Sequence, residues 1–214
     1  MRKGLIITLP RYDDTTEYLS QFSRQIEEEA DDKGIKLKGL KDEKVTREGL
    51  EEVITKLDYK MIVFNGHGSS NAIEGYKEEI VKVGINDDLL RERIVYARSC
   101  HVAKELGKEC TKDTRYGCFI GYDRPFQFYV DIRCTTNPLR DNTAKLFLEP
   151  SNLVPISIIK GNSTSNANEN SKRQLLKNIK KILRNLDSES FKIAEALWNN
   201  YEGQVLLGNP DVNL

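Results

Sequence analysis

The chain predicts an α/β protein, a mostly parallel sheet of about six strands with helices on both faces. Three observations predict it. Short apolar runs rich in β-branched residues recur at Leu5–Leu9, Tyr59–Phe64, Ile94–Ala97 and Cys118–Tyr122. These runs are continuously apolar, as strands covered on both faces are. Between the early ones lie segments whose apolar residues recur at helical spacing. Strand and helix in alternation imply right-handed crossovers and parallel neighbours.

The elements follow in order. Pro10 ends the first strand. Asp14-Thr15-Thr16-Glu17 reads as an N-terminal cap with an acid three residues on. Behind it Tyr18, Leu19, Phe22, Ile26 and Ala30 share one helical face, and Gly34 stops the helix. Ile35–Leu40 alternates as a second strand. Thr46 heads a second helix bearing Leu50, Val53, Ile54 and Leu57. The run 76–83 reads as either an edge hairpin or an exposed strand, and 86–90 as a capped helical turn. Val102–Leu106 fits a short helix. Asn137-Pro138 opens a helix with proline at its first position, running to about Leu148. Leu153–Ile159 is either a buried strand or a buried packing segment. The small polar residues of 161–171 (GNSTSNANENS) predict an exposed, mobile loop. Two amphipathic helices follow, one on Leu175, Leu176, Ile179, Ile182, Leu183 and Leu186, the other on Phe191, Ala194, Leu197 and Trp198. The closing VLLGNPDVNL reads as a strand, a turn and a tail. No repeat or linker divides the chain, so one domain spanning 1–214 is expected.

Composition narrows the function. Lys and Arg number 33, as do Asp and Glu. A zero net charge argues against nucleic acid as a partner. No apolar run approaches the roughly 18 residues of a membrane span, and the start lacks a signal-peptide cleavage site. The four cysteines, Cys100, Cys110, Cys118 and Cys134, form no CxxC pair, which suits a reduced, cytoplasmic protein. No standard metal-ligand spacing joins them to His67 and His101, so no metal is expected. Asn65-Gly66-His67-Gly68-Ser69 lacks the lysine of a phosphate loop, and Asn71 stands where GxGxxG needs its third glycine. No cofactor is expected.

Ligands of a parallel sheet bind beyond the carboxyl ends of its strands. His67 lies just past the third strand and Cys100 just past the fourth. Neighbouring strands are about 4.8 Å apart, so the two side chains face each other if these strands pair. A histidine beside a thiol supplies a thiolate nucleophile and then an acid for the leaving group. Gly66 and Gly68 give the turn its freedom, and the N–H groups of Gly68 and Cys100 are available to an oxyanion.

Three segments resemble the caspase-like cysteine peptidases, nearest the bacterial CHAT and gingipain-type branch. They are Asn65-Gly66-His67-Gly68, Arg98-Ser99-Cys100, and Leu206 to Asp211 (LLGNPD), with Asn209 where Asp is usual. Phe119-Ile120-Gly121-Tyr122 is similar to the fifth strand of CHAT-like domains. The resemblance implies a caspase-like fold and a cysteine endopeptidase acting on a protein or peptide substrate through an acyl-enzyme. His67 is then the general acid/base and Cys100 the nucleophile, with Gly68 and Cys100 at the oxyanion hole. No third catalytic residue is implied, and His101 is a bystander. An activating partner protein is a further expectation from the resemblance.

Two residues bear on specificity. Arg98 shares a strand face with Cys100 by its i−2 spacing. It either selects an acidic substrate residue, rejects basic ones, or is a structural arginine paired with Asp87, Asp88 or Asp123. Asp123, just past the fifth strand, favours a basic substrate residue if it reaches the pocket. Two rival classes share the scaffold: a catalytically silent binding module and a flavodoxin-like nucleotide protein.

Overall fold

A computed structural model of the chain describes residues 1–185 and 187–214. Leu186, read above as part of a helical face, lies outside the described residues. The elements are β1 (Arg2–Leu9), α1 (Asp14–Phe22), α2 (Arg24–Asp32), β2 (Leu37–Lys41), α3 (Arg47–Leu57), β3 (Tyr59–Asn65), β4 (Ala72–Glu74), β5 (Glu79–Lys82), β6 (Ile94–Arg98), α4 (Leu106–Thr111), β7 (Cys118–Tyr122), α5 (Asn142–Ile159), α6 (Thr164–Ile182), α7 (Ser188–Gly203) and β8 (Gln204–Gly208).

Six strands form one sheet in the order β2-β1-β3-β6-β7-β8. The first five run parallel, and β8 pairs antiparallel on the edge of β7. β4 and β5 form a separate antiparallel hairpin, so the run 76–83 supplies one strand, β5, whose partner is 72–74 and which does not join the main sheet. Among the described residues no helix is long and apolar enough to cross a membrane.

Strand alternation divides the core. Ile6, Ile62, Phe64, Val95, Ala97 and Phe119 face α3, α4 and the hairpin. Leu5, Ile7, Met61, Val63, Ile94, Tyr96 and Ile120 face Ile26 and Ala30 of α2, Val154 and Ile158 of α5, and Ala167 of α6. Both faces are covered, which explains the unbroken apolar runs. A third cluster joins α1, α5, α6 and α7 through Tyr18, Phe22, Phe147, Leu175 and Leu197.

The structure differs from expectation at several elements. The first helix is two. It breaks at Ser23, whose hydroxyl donates to the Leu19 carbonyl at 2.8 Å, a local bond that competes with helix continuation. Its N-cap is Asp13, with Thr16 completing the reciprocal pair. The 86–90 segment is a single 3-10 turn, Asp87–Leu90. Asn137-Pro138 also opens only a 3-10 turn. The α-helix starts at Asn142, where Asp141 accepts from the N–H groups of Thr143 and Ala144. Helix α4 begins at Leu106, where the predicted one ended.

Leu153–Ile159 is not a strand; it is a buried packing segment, the end of helix α5, which runs through Pro150 and Pro155. Residues 164–171 are not a mobile loop but the start of α6. There Ser163 accepts from the Asn166 N–H, and Thr164, Ala167 and Ser171 are fully buried. Small residues packed against a neighbouring helix give the same composition as a loop. Only the packing partner separates the two.

Candidate active site

β3 and β6 are hydrogen-bonded neighbours, and Asn65 pairs with Arg98 at their carboxyl ends. His67 and Cys100 each follow two residues later, so the sheet brings them to the same place. Both line one cleft of about 410 Å³. Asp14, Thr15 and the segment Phe126–Val130 complete its walls.

The His67 turn is built on glycine. A Cβ on Gly66 would collide with the Glu74 carbonyl oxygen. On Gly68 it would lie 2.8 Å from Val102 Cγ1 and 2.9 Å from Ser99 Cβ. Gly68 therefore packs directly against the loop that carries Cys100, and any side chain there would push the two loops apart. The hairpin pins the turn from the other side. The Glu74 N–H donates to the His67 carbonyl at 3.0 Å, and the Ser69 N–H to that of Ala72 at 2.9 Å.

His67 meets a carboxylate that the sequence reading did not nominate. Its Nε2 lies 2.7 Å from Asp13 Oδ2. Both side chains are partly open to solvent, 40% and 37% exposed. Burial pushes the Asp13 carboxyl up, but the Thr16 N–H, His67 and the Thr16 hydroxyl together hold it below its ordinary range. Asp13 thus caps α1 with one oxygen and holds His67 with the other. The sequence pattern puts the cap one residue later, at Asp14, and the second task of Asp13 depends on the distant loop. Nδ1 is the ring nitrogen left over.

Cys100 is half-buried. Burial raises its thiol pKa, partly offset by a hydrogen bond with the Phe126 backbone. Sγ also donates to the Phe126 carbonyl oxygen at 3.9 Å. After Cys100 the chain turns sharply. His101 takes a left-handed conformation (φ 62°), its N–H donates to the Arg124 carbonyl, and its Nδ1 lies 3.3 Å from the Asp123 carbonyl oxygen. It is held outside the cleft lining. Among the described residues, the N–H groups of Gly68 and Cys100 donate to no protein acceptor.

Neither residue nominated for substrate binding lines the cleft. Arg98 shares its face with Tyr96, which looks into the core beneath α2 and α5, and its side chain is completely buried. The strand ends at Arg98 and the chain bends before Cys100, so the i−2 relation does not carry across. Nor does Arg98 pair with Asp87, Asp88 or Asp123; its partners are neutral. Asp123 lies outside too, against Arg124 Nε at 3.2 Å, with its N–H on the Gly203 carbonyl. The walls instead come from Phe126 and Phe128, in an aromatic series with Tyr122 and Tyr18 at centroid spacings of 4.7, 6.1 and 6.0 Å. Their signal was the alternating stretch PFQFYV after the fifth strand, which carried no motif.

No protein-family profile matches the chain, and no curated protein sequence does. Among solved structures it is similar to the crystal structure of the Arg-specific cysteine proteinase gingipain R. The TM-score is 0.63 at 12% identity, over 99% of this chain and 47% of that one. The chain thus spans about half the length of that protein, and the likeness is one of fold. With its parallel sheet covered on both faces and an antiparallel edge strand, this chain has the caspase-like α/β fold found in gingipain R.

Proposed function

We propose that the protein is a cysteine endopeptidase of the caspase-like group, with kinship nearest the gingipain and CHAT branch. One observation carries the reading: His67, oriented by Asp13, and Cys100 line a single cleft beyond the carboxyl ends of two adjacent strands. The substrate is a protein or peptide, and the chemistry needs neither metal nor cofactor. The reduced cysteines fit a cytoplasmic setting.

The steps use this chain's own groups. His67 Nδ1 takes the Sγ proton, and the thiolate attacks the scissile carbonyl carbon. The N–H groups of Gly68 and Cys100 receive the developing oxyanion. The C–N bond then breaks, and the imidazolium protonates the leaving amine. Water, deprotonated by His67, hydrolyses the thioester and restores the thiol. Asp13 holds Nε2 and stabilises the imidazolium between these steps.

Among the described residues the cleft lining includes the acidic Asp14 and, His67 apart, no cationic residue. It therefore takes uncharged or basic substrate residues and disfavours acidic ones. A peptide library varied at the residue before the scissile bond tests this: acidic members are expected to be cleaved worst, and a preference for them overturns it.

A second reading is a catalytically silent module. It is favoured by the raised Cys100 thiol and by the lack of a hydrogen bond from Cys100 to His67 among the described residues. Under the first reading these describe a resting state that substrate or an activating partner completes. Labelling with a thiol-reactive peptide probe separates the two. Wild type is expected to label at Cys100, His67→Ala weakly and Cys100→Ala not at all. Equal labelling in Cys100→Ala defeats the peptidase reading.

A further inference from the structure

Among the described residues Arg98 is the largest side chain with no exposure to solvent, and no carboxylate there meets its charge. Nε donates to Asn65 Oδ1 at 2.7 Å, Nη1 to Asn152 Oδ1 at 2.7 Å and Ser151 Oγ at 3.3 Å, and Nη2 to Ser23 Oγ at 2.6 Å and the Leu19 carbonyl at 3.4 Å. Burying a guanidinium is costly unless its donors are satisfied. Here the compensation is neutral and oriented. Leu19 and Ser23 form the carboxyl end of α1, where the helix dipole is negative.

The positions of these partners matter more than their number. Asn65 stands two residues before His67, and Arg98 two before Cys100. The Asn65 amide in turn donates to the Thr8 carbonyl at 2.6 Å and to Ser23 Oγ at 3.1 Å. The other end of α1 begins at Asp13, which holds His67 at 2.7 Å. One guanidinium thus ties the strand that delivers the histidine, the strand that delivers the cysteine, and the helix that orients the histidine. We infer that Arg98 is a positioning residue: it sets the imidazole of His67 against the thiol of Cys100. The inference rests on the peptidase reading above.

The test reads the dyad without needing a substrate. Alkylation of Cys100 by iodoacetamide is followed against pH, with peptide-resolved mass spectrometry separating it from the other three cysteines. In wild type, assistance by His67 sustains the rate near neutral pH, and His67→Ala removes that arm. Arg98→Lys keeps the charge but not the planar fork, and Asn65→Ala removes the guanidinium's link to the histidine strand together with the amide's own bonds to Thr8 and Ser23. Both are expected to lower the rate about tenfold near pH 6, the effect of about one unit in thiol pKa. Leu50→Ala, a core truncation on α3, serves as a control of comparable stability loss, with an expected rate within about twofold of wild type. Should Arg98→Lys fail to fold, Asn65→Ala carries the comparison. If His67→Ala flattens the profile while Asn65→Ala and Arg98→Lys do not, or if Leu50→Ala loses as much as they do, the positioning role is overturned and the dyad stands. If His67→Ala leaves the profile unchanged, the dyad falls and the positioning role with it.

Discussion

At the scale of single residues, Asp13 has two separable tasks. As N-cap it accepts from the Thr16 N–H at 2.8 Å; as a carboxylate it holds His67 at 2.7 Å. Asparagine caps about as well as aspartate but brings no charge to the imidazole. Asp13→Asn is therefore expected to keep its thermal midpoint and lose turnover, whereas Asp13→Ala loses turnover and about 1 kcal/mol of stability. Thermal melts beside probe labelling of Cys100 check both; a fully active Asp13→Asn shows that His67 needs no carboxylate. The acid limb follows from the lowered carboxyl value. Its stabilising share is present above the ordinary value of 3.8 and is lost as pH falls through the lower folded one. Asp13→Asn should flatten that part of the stability profile. The histidine and cysteine were legible in the sequence because each closes a strand. Asp13 was not legible: the capping pattern falls one residue later, at Asp14, and the contact of Asp13 with His67 spans 54 positions.

At the scale of elements, α5 shows how a helix carries the first of its two prolines. Pro150 has no N–H for the carbonyl of Leu146, one turn back. Asn178 of α6 supplies it: its Nδ2 donates to the Leu146 oxygen at 2.7 Å. Asn178→Leu takes the protein partner from that part-buried carbonyl and should destabilise the protein by about 1 kcal/mol, read from denaturant midpoints. A change within a few tenths would mean that water replaces the amide. The start of α6 gives a second expectation. Ala167 packs against the strand face that carries Met61 and Val63, with no exposed surface. Ala167→Asp should unfold much of the population at ordinary temperature, by burying an unpaired charge. Limited proteolysis should spare 164–171. Cleavage of the native protein there would restore the mobile-loop reading. That composition was misread because small polar residues suit both a solvated loop and a close helix contact.

At the scale of the molecule, the C-terminal segment closes the structure twice. β8 covers the edge of β7, the strand that leads into the aromatic wall of the cleft. Beyond it, the carbonyls of Pro210 and Val212 accept from the N–H groups of Ser165 and Thr164, satisfying the first turn of α6. Gly208 makes the turn possible, with φ at 82° and no room for a Cβ beside the Gly117 carbonyl. Removing residues 204–214 is expected to abolish cooperative unfolding in a circular-dichroism melt, since it exposes a strand edge and a helix start together. A truncated chain that melts as sharply as the full one would show that the edge strand is dispensable.

By itself the sequence determined the layering of this protein and the strand ends that His67 and Cys100 follow. Unbroken β-branched runs dictate strands buried on both faces, and the turns that follow them place His67 and Cys100 at one edge. These are local properties, carried within a few residues of each strand. Tertiary structure alone decided what surrounds that pair. The carboxylate on His67 comes from the start of a helix, and the cleft wall from a stretch without a motif. Arg98 points inward on the strand face of Tyr96, and Cys100 does not share that face because the strand stops before it. Each depends on contacts between residues far apart in the chain, and no local pattern encodes a distance it does not contain.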